Sequence, residues 1–126
     1  APRAPAAWAL SWPLAHLSLA LQPEIQRYAG MSGVLHAGVA VMVVQMLKMR
    51  SAWHRALGII LGLGLIAKVV LEAPWAQALV TTPEWDIPVA PLAHAAGAFW
   101  GAVWGLVLVR ARVVNFDTPP SAPKGA

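Results

Sequence analysis

Residues 91–105 read PLAHAAGAFWGAVWG, an apolar run holding one histidine and three glycines. At about 100° per residue, His94, Ala98, Gly101 and Gly105 fall on one stripe of a helix, with Gly97 beside it. In lipid, burying apolar side chains between helices gains little, so helices associate where small residues let backbones come close. The stretch therefore predicts a membrane helix with a glycine face pressed against another helix. A polar imidazole lies one turn from its start.

The rest of the chain agrees with that environment. It has 126 residues, 59% hydrophobic and 11% charged, less than half the charge of an ordinary soluble domain, about 25%. Apolar blocks run over residues 8–21 (with Pro13 inside), 32–47, 56–71 and 89–109. Only the last reaches the roughly 17 to 25 residues of a comfortable span, and the others reach it by borrowing flanking residues. Trp8, Trp12, Trp53 and Trp75 lie near block ends, where an aromatic belt is expected. The predicted fold is an all-α membrane protein with four transmembrane helices over residues 1–112. A Pro-rich tail over 113–126 is expected to be disordered.

Cysteine is absent, which excludes disulfides and thiolate-held metals. The net charge of +4 reads as orientation rather than nucleic-acid binding, because the cations are grouped by side. Arg3, then Lys48, Arg50 and Arg55, then Arg110, Arg112 and Lys124 share one side if all four blocks cross. Glu24, Arg27, Glu72, Glu84 and Asp86 share the other. The positive-inside rule makes both termini cytoplasmic.

Ser32 precedes Lys48 by sixteen residues, and His94 precedes Arg110 by the same number. At a rise of about 1.5 Å per residue, serine and histidine are predicted at one level, just below the outer surface. The second block opens GMSGVLHAG over residues 30–38 and offers Gly30, Gly33, Ala37 and Ala40 as small surfaces. Close approach of the two helices would bring the Ser32 hydroxyl to the His94 imidazole. A histidine can take the serine proton as general base and return it to a leaving amine. Gly30 and Gly33 leave the backbone N–H open to an oxyanion. No carboxylate is expected beside the histidine, so the prediction is a dyad.

The pairing of GxSG with HxxGxxxG resembles the signature of rhomboid intramembrane serine proteases. Gly30, Ser32 and Gly33 match the first motif, and His94, Gly97 and Gly101 the second. The resemblance extends to the rhombosortase subfamily, whose members read Y-x-G-x-SG-x-LHG. Tyr28, Gly30, Ser32, Gly33, Leu35 and His36 match, with Ala37 replacing the last glycine, and Lys68 and Glu72 resemble that group's Lys-xxx-Glu pair. The resemblance implies Ser32 as nucleophile, His94 as base and the C-terminal part of a six-helix core, with two further spans expected upstream. It also implies an earlier histidine–asparagine pair for the oxyanion. His16, followed four residues on by Ala20, does not supply one. The implied substrates are membrane-anchored exported proteins with a C-terminal Gly-Gly sorting segment, cleaved at the outer face of a bacterial inner membrane, with no cofactor or metal.

Plainer roles stand beside these. Ser32 also suits a helix N-cap. His36 is expected to act structurally or behind the dyad, bonding Ser32 or nearby backbone. Lys68 and Glu72 are spaced for an ion pair on one helix face, with a role in receiving substrate as the alternative. Gly97, Gly101 and Gly105 are expected at a packing seam. Residues 72–91 suit either a lid or an interfacial connection. Two other functions remain open: a cytochrome subunit with haem between histidines such as His36 and His94, and a non-catalytic rhomboid-like fragment.

Overall fold

The computed structural model describes residues 3–28, 30–83 and 85–110. The tail expected over 113–126, and Arg112, Lys124 and Glu84, lie outside the described residues. Among these residues four α-helices carry the fold: α1 (Arg3–Leu17), α2 (Ser32–Leu47), α3 (Ala52–Leu71) and α4 (Pro91–Leu108). A 3-10 turn, Ser18–Leu21, extends α1. Among the described residues, two helices, α3 and α4, are long and apolar enough to cross a membrane. The all-α expectation is corrected in one place, because residues between α3 and α4 form an antiparallel hairpin of β1 (Val80–Thr82) and β2 (Trp85–Val89).

α2 covers the second apolar block with the expected bounds. It is apolar almost all round and shows no strong one-sided pattern, as befits a helix with neighbours on several faces. α4 begins with Pro91 in its first turn, where a missing N–H costs nothing. The two helices run parallel: Gly33 faces Ala93 and Gly97, Ala37 faces Gly101, and Val41 and Val44 face Gly105. A Cβ on Gly97 would collide with the Gly33 carbonyl, and one on Gly101 with the Ala37 backbone. These glycines are thus required by backbone-to-backbone approach, and the predicted seam is present.

At the far end of the seam, the Lys48 ammonium donates to the Leu106 carbonyl at 2.8 Å and also to that of Val109. It satisfies carbonyls that the last turn of α4 leaves without helical partners.

α1 runs antiparallel to this pair. Its start packs on the far end, where Ala7, Val41 and Val109 form a buried cluster. Its last residues meet the start of α4, where Leu19 packs with Ala90 and Ala93 and the Trp100 indole donates to Ser18 Oγ at 2.9 Å. Trp8, expected in an aromatic belt, ties helices together: its indole N–H donates to the Val34 carbonyl at 2.7 Å, and its ring lies over Gly38.

α3 returns antiparallel along α2, with Gly58 against Met46 and Leu47 and Gly62 against Val43. Gly58 is the one buried residue of α3. Ile59, Ile60, Leu63 and Ile66 all point outward, so the helix presents an apolar surface. It also stands off from α4, leaving an apolar groove of about 330 Å³ lined by Val43, Ile66, Val70, Ala98, Phe99 and Ala102.

Candidate active site

The ends of three helices converge at one end of the bundle. Because α2 and α4 are parallel and locked at Gly33–Gly97, Ser32 and His94 sit at the same end of the seam. α3 runs the opposite way, so its C-terminal residues Lys68 and Glu72 return to that end.

Ser32 is the first residue of α2. The cap position belongs to Met31, with no side-chain cap bond, so the serine hydroxyl is not spent on capping. It pairs with the Tyr28 hydroxyl at 3.0 Å and makes no direct hydrogen bond to His94. Gly30 makes the tyrosine contact possible, since a Cβ there would lie 2.9 Å from the Tyr28 oxygen. The Tyr28 ring meets His16 edge-on, with centroids 5.6 Å apart. Tyr28 thus enters the site as a hydroxyl beside the serine. Sequence reasoning had it only as a motif position.

His94 is 5% exposed, the one buried histidine among the described residues. Its ring stacks on His36, with centroids 4.2 Å apart and planes at 11°. His36 follows Ser32 by one turn, and its Nδ1–H donates to the Ser32 carbonyl at 2.7 Å. Because a carbonyl only accepts, the proton must lie on that nitrogen. Serine, His36 and His94 therefore form a continuous layer: backbone bond, then ring stack.

The expectation that no carboxylate lies beside the histidine is overturned. Glu72 Oε2 is 2.6 Å from His94 Nδ1, and Glu72 Oε1 accepts from Lys68. The ion pair along α3 is present, but it extends across to α4. Sequence did not disclose this, because Lys68 and Glu72 read as a local pair one turn apart and nothing in the pattern of α3 says that its end reaches α4. Glu72 sits just past the last helical residue, and Ala73 then turns left-handed, with φ 45°, ending the helix at that level. Burial alone would raise the Glu72 carboxyl, but hydrogen bonds from Lys68 and His94 outweigh it and hold the group below the usual carboxylate range. The carboxylate is thus charged, and Lys68 keeps half its side-chain surface exposed, as a snorkelling lysine does.

Gly33, Gly97 and Gly101 sit in the seam, and Gly105 lies lower, against the Val44 side chain. His16 bonds its own helix, through Nδ1 and the Trp12 carbonyl, and stands apart from the His36–His94 stack. No group of three or more metal-ligating side chains occurs among the described residues.

Compared with protein-family models, with curated proteins and with solved structures, the chain matches none. Its chemistry is therefore read from the site. A pair of hydroxyls, on Ser32 and Tyr28, and an imidazole fixed by a carboxylate lie at the same end of an apolar bundle. Such a set can deprotonate a serine and stabilise the resulting imidazolium.

Proposed function

We propose that the chain is an intramembrane serine endopeptidase of the rhomboid type, with Ser32 as nucleophile and His94 as general base. All four helices cross the bilayer in this reading, with the Ser32–His94 end toward the outer face. The observation that carries it is the seam: backbone contact at Gly33–Gly97 fixes serine and histidine on adjacent parallel helices at one level. The outward apolar surface of α3 supports lipid as its solvent.

In the proposed reaction, His94 takes the Ser32 proton as Oγ attacks the scissile carbonyl. It then gives that proton to the leaving amine, and water hydrolyses the acyl-enzyme by the same route reversed. Substrates are membrane-anchored proteins presenting a C-terminal transmembrane sorting segment of the Gly-Gly type, as the rhombosortase resemblance implies. An activity-based fluorophosphonate probe, applied to membranes holding the product of the complete reading frame, tests the assignment. Labelling is expected in the wild type and lost in Ser32→Ala. Labelling that persists in Ser32→Ala excludes Ser32.

One observation favours a second reading, a non-catalytic rhomboid-like chain: the serine hydroxyl rests on Tyr28 rather than on His94. Wild-type membranes that take up no probe, while containing folded protein, would select it. The haem reading is disfavoured by geometry. Axial ligands aim in-plane nitrogen lone pairs at iron from opposite sides, whereas His36 and His94 face each other through their ring planes.

A further inference from the structure

We infer that Glu72 is a positioning residue for His94, which makes the proposed dyad a serine–histidine–glutamate triad anchored by Lys68. The inference rests on the protease reading and deepens it.

The geometry supplies three parts. First, a carboxylate only accepts, so the 2.6 Å contact with His94 Nδ1 places the ring proton on that nitrogen. Nε2 is then the nitrogen with a free lone pair, the one able to accept the serine proton. Second, the ring cannot readily swing. Its face is covered by His36, its edge is held by Glu72, and the residue is buried. Third, Glu72 is itself held, because Oε1 accepts from Lys68 one turn back on α3 while Oε2 serves the histidine. Each carboxylate oxygen thus has one partner.

The charge balance follows. When Ser32 Oγ bonds to the scissile carbon, its proton moves to Nε2 and His94 becomes an imidazolium. Glu72 stays ionised and opposes that positive charge at Nδ1, without taking the proton. The proton leaves Nε2 with the amine, and the carboxylate again faces a neutral ring. His36 presents only its π face to His94, and its own Nδ1–H is occupied by the Ser32 carbonyl. Among the described residues, His94 is met by His36 from α2 and by Glu72 from the end of α3, with Lys68 behind Glu72.

The test uses the complete protein in membranes and a transmembrane model substrate with a Gly-Gly cleavage segment. Glu72→Gln is expected to lower kcat on the order of 10⁴-fold with KM little changed, as losing an orienting carboxylate does in soluble serine proteases. The acid limb of its kcat/KM profile should move to lower pH, because the imidazolium loses its counter-charge. Glu72→Asp should recover part of kcat and restore the wild-type acid limb. A merely structural Glu72 would leave that limb in place.

Should Glu72→Gln fail to accumulate, the ¹⁵N spectrum of histidine-labelled wild type decides, with the His94 signals assigned by their loss in His94→Gln. Protonated Nδ1 and bare Nε2 are expected, and the opposite tautomer overturns the inference. Wild-type kcat and pH profile in Glu72→Gln also overturn it, while Ser32→Ala and His94→Ala remain inactive. Retained cleavage in Ser32→Ala would instead overturn the protease reading itself.

Discussion

The two sides of α2 are built differently. Toward α4 it meets backbone: Gly33 and Ala37 touch Gly97 and Gly101 with no side chain between. Toward α3 it meets side chains, with Val43, Met46 and Leu47 filling the space over Gly62 and Gly58. The first contact tolerates no added atom and fixes both depth and rotation. The second leaves an apolar groove and an outer surface suited to lipid. Rigidity is thus concentrated where serine and histidine are carried, and the carboxylate that steadies the histidine arrives on the looser helix.

The sharpest way to break this contrast is to add one carbon to the seam. Gly97→Ala should destabilise the protein by about 3 kcal/mol or more, because the intruding Cβ meets backbone that has nowhere to move. Thermal unfolding in detergent, followed by circular dichroism, measures it. An unchanged midpoint would mean the seam is not as tight as described.

A smaller effect is expected where α1 is tied to the same side. Trp8→Phe keeps the aromatic bulk but removes the donor to the Val34 carbonyl, which should cost about 1 kcal/mol in the same melt. At the exit of α3 the sign reverses. Ala73 holds a left-handed conformation that glycine adopts freely, so Ala73→Gly should stabilise by up to about 1 kcal/mol.

The smallest effect belongs to the loose side. A Cβ on Gly64 meets nothing within 4 Å, so Gly64→Ala should leave the midpoint unchanged or raise it slightly through helix propensity. A strong loss there would show that something packs on that face.

What the sequence disclosed, and what it did not, follows the same division. The seam was legible because glycine spacing has one physical use in an apolar helix, and the equal distances from Ser32 to Lys48 and from His94 to Arg110 set the level. The bounds of α2 followed from its flanking glycines and lysine. The Glu72–His94 contact was hidden because the glycines of α3, Gly58 and Gly62, mark only its contact with α2, and nothing in the sequence says that its far end reaches α4. The Trp8 tie was hidden because a tryptophan near a block end reads as an interfacial anchor. The short hairpin was masked by prolines at 83 and 88, residues that ordinarily argue against strands.

The grip of Lys48 on the end of α4 has a mechanical consequence. A helix terminus under tension ordinarily peels from its last turn, but these carbonyls are latched to a neighbouring helix. Pull exerted through the chain beyond Arg110 is shared with α2 and spread along both rods, so a load there shifts the pair together and leaves their mutual alignment undisturbed.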